Sequence, residues 1–300
     1  MVGEILGAAW LQYALGGVTI GAIYALVAIG YNIIYNVTEI INFAQGEFVM
    51  LGGLFGVFYH QTCGLPLAPA VFGAVVTVGV VGLLLERYVI RRARHATVLS
   101  MIIVTIAFSI LLKGGAMLAW GKDPYRLPAF SQGRAFLWHG VAIQPQALWV
   151  LGISAVVVVA LTIFFRTSFY GKAMLACADN PNAAKLVGIP VRTMVLLSFA
   201  LSATVGAVAG AAICPITLME YDRGALLGLK GFGAAVLGGL GQFSGALVAG
   251  LVLGLSESFC AGYLSSGYKD AVALVLLMSA LFFKPEGLFG SKEAAGLKRF

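Results

Sequence analysis

The run Leu11-Gln-Tyr-Ala-Leu-Gly-Gly-Val-Thr-Ile-Gly-Ala-Ile-Tyr-Ala-Leu-Val-Ala-Ile-Gly-Tyr-Asn-Ile-Ile-Tyr35 decides the fold class, because it carries no charge from end to end. A helix crosses the roughly 30 Å hydrocarbon core of a bilayer in about 20 apolar residues. Uncharged windows of comparable character recur at Ile5 to Thr38, Phe48 to Leu85, Gly140 to Phe165, Thr193 to Met219 and Ala271 to Phe283. Divided at their polar breaks, they predict crossings at Leu11 to Tyr35, Phe43 to Tyr59, Leu67 to Leu85, Val98 to Ala119, Leu148 to Phe165 and Thr193 to Ile213. Three shorter segments follow at Ala225 to Leu240, Ala246 to Ala261 and Tyr268 to Phe283. The composition agrees: 60% of the residues are apolar and 10% charged, against roughly 25% charged in a soluble domain. The expectation is an all-α polytopic membrane protein of eight or nine transmembrane segments, forming one transmembrane domain over 1–300.

A net charge of +7 raises the question of nucleic acid, and the placement of the basic residues answers it. Arg87, Arg91, Arg92 and Arg94 form one group, Arg166, Lys172, Lys185 and Arg192 a second, and Lys284, Lys292, Lys298 and Arg299 a third. All three lie between or after apolar segments, where the positive-inside rule assigns them to the cytoplasm and anionic membrane lipid is their natural contact. No nucleic-acid partner is implied. Loop 120–146 is then external, and loop 166–192 and tail 284–300 are cytoplasmic. Cys63, Cys177, Cys214 and Cys260 have no metal-ligand spacing, and the predicted topology puts Cys63 and Cys177 on opposite sides.

The Gly-rich stretch Gly228 to Gly245 either crosses fully, giving nine segments, or re-enters, giving eight. In both cases it belongs inside the protein, since irregular backbone at membrane depth must be buried or line a watery cavity. Small residues four apart, at Gly17 and Gly21, Gly52 and Gly56, Gly206 and Gly210, and Gly250 and Gly254, predict close helix packing.

Two groups of residues are candidates for function. The first surrounds the junction after the opening segment, where Asn42, Gln45 and Glu47 would face a passage, because an ionisable group in hydrocarbon turns to a bundle interior or aqueous cavity. Lys113 lies near the end of its segment and is expected to snorkel to the surface, while Glu257 faces either the interior or the outer interface. The second group is Tyr170-Gly-Lys-Ala-Met-Leu-Ala-Cys-Ala-Asp-Asn-Pro-Asn-Ala-Ala-Lys-Leu-Val-Gly-Ile-Pro190. Asn180 can cap a helix that starts at Pro181, Gly188 suits the position past its end, and Pro190 prevents continuation. Such a short bounded helix in a cytoplasmic loop can seat in a groove of a neighbouring protein. Asp179, Asn182 and Lys185 would then supply polar contacts, Leu186 or Val187 apolar ones, and Ala183 the close approach.

Catalytic signals are absent. No Gly-x-x-x-x-Gly-Lys-Ser/Thr string occurs, and His60, His95 and His139 are scattered without a His-Glu-x-x-His pattern, so neither phosphate-cradle nor zinc-hydrolase chemistry is encoded. An ion-coupled secondary carrier would need coupling-ion ligands in the membrane, for which only Glu47 and Glu257 present themselves.

Gly16-Gly-Val-Thr-Ile-Gly-Ala-Ile-Tyr-Ala-Leu-Val-Ala-Ile-Gly-Tyr31 followed by Ile40-Ile-Asn-Phe-Ala-Gln-Gly-Glu47 resembles the opening signature of the branched-chain amino acid ABC permeases, the LivH/LivM family. The resemblance continues through Gly171 to Ile189, like that family's coupling loop, and through Gly233-Ala-Ala-Val-Leu-Gly-Gly-Leu-Gly241, Tyr268-Lys-Asp270 and Lys284-Pro-Glu-Gly-Leu-Phe-Gly290. It implies a multi-pass permease of the bacterial inner membrane forming half of a translocation pathway. Its partners would be a second homologous permease, two cytoplasmic ATPase subunits that hydrolyse the ATP, and a periplasmic substrate-binding protein. No cofactor of its own is implied. Gln45 stands where the family commonly has histidine and Leu175 where a basic residue is common; related permeases serve urea and short amides, which are the alternative cargo.

Overall fold

The computed structural model describes residues 2–93, 97–131, 133–138, 140–284 and 287–289. Arg94, His95, His139, Lys292, Lys298 and Arg299 lie outside the described residues, as does most of the expected tail 284–300. The helices are α1 (Val2–Thr38), α2 (Gln45–Val57), α3 (Leu67–Leu84), α4 (Val98–Trp120), α5 (Pro145–Thr167), α6 (Phe169–Asp179), α7 (Pro181–Leu186), α8 (Val191–Ile213), α9 (Arg223–Gly238), α10 (Phe243–Tyr263) and α11 (Lys269–Phe283). Between α4 and α5 the chain forms a small antiparallel hairpin of β1 (Phe136–Trp138) and β2 (Val141–Ile143), with Phe136 opposite Ile143.

By length and composition, seven of the described helical runs can cross a membrane: Ala9–Thr38, Leu67–Ile90, Val98–Trp120, Pro145–Thr167, Val191–Ile213, Phe243–Tyr263 and Ser266–Phe283. The chain is therefore a multi-pass all-α membrane protein. The second and seventh segments read from sequence correspond to shorter helices, α2 with 13 residues and α9 with 16. Helix α2 continues through a π-helical turn, Phe58–Thr62. The Gly-rich stretch is helical up to Gly238 and again from Phe243. Between them Gly239 and Gly241 take φ of 99° and 89°, a left-handed conformation that a side chain would strain.

The chain divides into two compact units. One comprises Gly30–Pro128 and Ala155–Leu229. Its centre is α2, packed on α3 and α8, with every residue of α2 buried except Phe55. Backbones meet directly there. A Cβ on Gly52 or Gly210 would overlap the facing backbone of Ala207 or Val49, and one on Gly82 would lie 2.7 Å from the Phe199 carbonyl. Among the spaced glycines, Gly56 faces the Leu127 side chain and Gly206 the Phe48 and Gln45 side chains.

The other unit comprises Met1–Ile29, Ala129–Ser154 and Lys230–Phe300. Here α1 crosses α10 on the remaining glycine pairs. A Cβ on Gly17 would sit 2.7 Å from the Leu255 Cα, and one on Gly21 2.8 Å from the Gly250 carbonyl. In hydrocarbon, helices gain nothing by hiding apolar side chains from lipid, so this close packing supplies the attraction.

Introducing a side chain at such a contact should separate α2 from α8. Gly52→Val is expected to cost about 1–3 kcal/mol or more and to lower the melting temperature of detergent-solubilised protein. Gly114→Val, at a position with nothing within 4 Å, should melt as the unsubstituted chain does. Equal melting of the two variants would contradict the packing described.

Candidate functional site

The chain between α1 and α2 turns at Glu39, whose φ of 56° is the one left-handed non-glycine conformation among the described residues. That break delivers Asn42, Gln45 and Glu47 to the start of α2, where all three are buried. They differ in what is left free. Ser202 on α8 donates to the Gly30 carbonyl (2.7 Å) and its Oγ stands 2.6 Å from Gln45 Oε1, while Gln45 Nε2 donates to the Ser202 carbonyl at 3.3 Å. Gln45 therefore serves as a knot among α1, α2 and α8. The Asn42 Oδ1 accepts the Ala44 N–H at 3.2 Å, and its Nδ2 is buried without a partner.

Glu47 is the most exceptional member. It is 1% exposed and sits in the first turn of α2, where the helix dipole favours an anion. Ser109 on α4 donates to its Oε1 at 2.9 Å, and its Oε2 has no hydrogen-bond partner. That free oxygen faces Gly224 at the start of α9, where a Cβ would overlap it. One turn on, a Cβ at Gly228 would lie 2.9 Å from the Gly46 Cα, so α9 lies backbone to backbone against α2. Lys113 and Asp222 both act on the charge of Glu47. Lys113 is half-buried, and its Nζ lies 5.5 Å from the centre of the Tyr221 ring. A buried carboxylate with one oxygen free and one lysine nearby can take an ammonium or a proton.

The residues of loop 166–192 are built differently. The Asn180 Oδ1 accepts the N–H groups of Asn182 and Ala183, each at 3.0 Å, Pro181 occupies the first turn, and Gly188 takes φ of 86°. Helix α7 is thus closed at both ends. Ala184 alone is buried, under α7, while Asp179, Asn180, Asn182, Ala183, Lys185 and Leu186 are exposed. Leu186 is 90% and Val187 76% exposed. A capped helix holding two aliphatic side chains in the open is a preformed knob. The helix α6 leading into it, with Gly171, Ala173, Met174 and Cys177 buried, has no counterpart among the sequence-derived elements. Cys177 is consequently shielded, and burial pushes its thiol pKa up.

Lys230 is the functional-type residue that sequence reading passes over. It stands inside the segment Ala225 to Leu240 and is 8% exposed. Its Nζ lies 2.9 Å from Glu257 Oε2 on α10 and 2.6 Å from Asp270 Oδ1 on α11, and it donates to the Tyr24 hydroxyl of α1 at 3.2 Å. The Tyr24 hydroxyl in turn donates to Glu257 Oε2 at 2.8 Å. Glu257 is therefore buried against the neighbouring helices α1 and α9. A lysine in the middle of an otherwise apolar segment is the available signal. Among the described residues no group of three or more His, Cys, Asp or Glu side chains could hold a metal ion.

The profile of the family described as branched-chain amino acid transport system / permease component matches residues 13–281. The chain is 34% identical over 302 residues to the high-affinity branched-chain amino acid transport system permease protein LivH of Escherichia coli (strain K12), covering 95% of this chain and 96% of LivH. It is 32% identical over 297 residues to the corresponding protein BraD of Pseudomonas aeruginosa, covering 95% of this chain and 97% of BraD. Among solved structures, PsaBC from Streptococcus pneumoniae in complex with Fab superposes with a TM-score of 0.52 at 16% identity, over 96% of this chain and 98% of that one. This likeness concerns the fold.

The cap on α7 should be measurable on its own. Asn180→Ala removes the two N–H contacts and should cost about 1 kcal/mol of local stability, so amide exchange over residues 181–187 should speed up while α8 stays protected. Unchanged exchange would show that the helix does not depend on this cap.

Proposed function

The chain belongs to the branched-chain amino acid transport system permease family, and on that premise we propose that it forms half of the translocation pathway of an ATP-driven importer for aliphatic amino acids in a bacterial inner membrane. The other half is a second, homologous permease. Two cytoplasmic ATPase subunits hydrolyse the ATP, and a periplasmic binding protein delivers substrate from the side of loop 120–146. Loop 166–192 and tail 284–300 lie in the cytoplasm.

The observation that carries this reading is the free, buried oxygen of Glu47 facing Gly224. A zwitterionic amino acid passing this point can place its ammonium on Glu47, with Asn42 offering a second polar contact. Gln45 lends shape to the passage through its link to Ser202. The contact has to be weak enough to release substrate, since a passage that binds tightly does not conduct. Urea or a short amide carries no cation for Glu47 to pair with, which favours amino acids over that alternative cargo.

Coupling falls to α7. Leu186 and Val187 enter an apolar groove on one ATPase, while Asp179, Asn182 and Lys185 form the polar rim. Asn180 fixes the start of the helix, and Ala183 allows the surfaces to approach. A push on α7 passes to α8, which the Ile189 N–H to Ala184 carbonyl contact (2.9 Å) holds close behind it. The permease alternates between states that ATP binding and hydrolysis populate differently.

Three variants in the assembled transporter test this scheme. Glu47→Gln should lower leucine uptake about tenfold or more, given about 1.5–3 kcal/mol for a hydrogen bond to a charged group, without loss of assembly. Ala183→Glu should uncouple ATP hydrolysis from uptake. A cysteine introduced as Lys172→Cys should resist a membrane-impermeant maleimide in spheroplasts that labels the exposed Cys63. Normal uptake by both transport variants, or labelling of the introduced cysteine from outside, would overturn the scheme.

A further inference from the structure

Lys113 stands on α4 one turn beyond Ser109, and residues four apart on a helix share a face. Ser109 donates to Glu47 Oε1 at 2.9 Å, so Lys113 rises from the face of α4 that meets Glu47. It is half-buried, and its Nζ lies 5.5 Å from the centre of the Tyr221 ring, a distance at which the ring attracts a cation. Tyr221 opens the stretch Tyr221-Asp-Arg-Gly224, at whose other end Gly224 abuts the free Glu47 Oε2. One short stretch of chain therefore has a lysine against its first residue and a buried glutamate against its last.

The charge of Lys113 acts on that of Glu47. Among the described residues no ion pair joins them, and the Lys113 ammonium has no hydrogen-bond acceptor. In direct contact the two would neutralise each other, whereas held apart each keeps its charge for a third body. Asp222, which also acts on Glu47, reinforces the negative end. The ligand that completes this arrangement carries both signs of charge close together. An ammonium alone would satisfy Glu47 and bring a second positive charge toward Lys113. A carboxylate alone would satisfy Lys113 and be repelled by Glu47 and Asp222. An α-amino acid holds its ammonium and carboxylate on one carbon, so it bridges the pair in one orientation, through two charge-assisted hydrogen bonds.

We propose that Lys113 is a specificity-determining residue of the passage: it receives the substrate's carboxylate while Glu47 receives the ammonium. The chain then selects α-amino acid zwitterions over amines and carboxylic acids that carry the same side chain. The proposal rests on the reading of Glu47 as the ammonium's partner, and it adds the group that reads the other end of the molecule.

The test is competition binding to the assembled transporter in lipid nanodiscs, with the binding protein left out so that its own selectivity does not enter. Labelled leucine is displaced by unlabelled leucine, by isoamylamine, which lacks the carboxylate, and by 4-methylpentanoate, which lacks the ammonium. Leucine should compete at least about tenfold better than either analogue, since each has lost one hydrogen bond between charged groups. In Lys113→Met, at an unchanged melting temperature, leucine should bind about tenfold or more weakly and isoamylamine no worse than before, so the preference between them disappears. Lys113→Arg should retain it. Isoamylamine competing as well as leucine in the unsubstituted transporter overturns the proposal without any variant. So does Lys113→Met if it keeps the preference or weakens both ligands alike, as a structural lysine would. Should Glu47→Gln weaken leucine in that same assay, the reading of Glu47 stands without Lys113. Leucine binding that Glu47→Gln leaves intact, or no saturable leucine binding by the unsubstituted transporter, overturns the reading of Glu47 and the proposal with it.

Discussion

The contact between Gly52 of α2 and the backbone of Ala207 on α8 shows the constraint on which the rest of the structure depends. Lipid tails are as apolar as leucine side chains, so helices inside a bilayer are held together by proximity and not by exclusion of water. Proximity is served by glycine or alanine where α2 and α3 meet α8 and where α1 meets α10. The four-residue spacing at Gly206 and Gly210 meets α2, and that at Gly17 and Gly21 meets α10. Large apolar side chains turn outward instead, as on α4, where Val98, Leu99, Ile103, Ile110, Leu111 and Leu118 are exposed.

The same absence of water makes each interior polar group consequential. Most are tied: Gln45 to Ser202, Glu86 to Arg91 through contacts of 3.2 and 2.9 Å, and Lys230 to its three partners. Against that background the untied atoms stand out, namely Glu47 Oε2, Asn42 Nδ2, Ser154 Oγ, Arg223 Nε, Glu257 Oε1 and Asp270 Oδ1, the last held by Lys230 as an ion pair without a hydrogen bond. Unsatisfied buried groups cost about 1–3 kcal/mol each, more when charged. The first two lie at the start of α2, at the break marked by the left-handed Glu39, and there the cost is offset if a substrate completes the bonds. At the start of α2, strain and unsatisfied polarity fall together.

Local features were legible in the sequence because their causes are local. The seven long spans follow from hydropathy, and the ends of α7 follow from Asn180, Pro181 and Gly188. Glu47 stood out as a charge beside an apolar run. What escaped depends on partners far along the chain. Lys230 pairs with residues separated from it by 206, 27 and 40 positions, so no window of sequence contains the cluster. The ring of Tyr221 beside Lys113 is equally out of reach of any sequence window. Helix α6 was missed since its buried face is small, made of Gly171, Ala173, Met174 and Cys177, and gives little periodic signal. The hairpin at 136–143 is only three residues per strand, too short for alternation to register.

An importer permease conducts an aliphatic amino acid only when ATPase subunits drive it, and an ion-coupled carrier does not need them. Proteoliposomes are loaded with the chain, its partner permease and the two ATPases, with binding protein and labelled leucine on the periplasmic side and ATP supplied to the other. The account predicts uptake that requires ATP, requires the ATPases and persists when ion gradients are collapsed. Uptake by the chain alone, driven by a proton or sodium gradient without ATP, would contradict it.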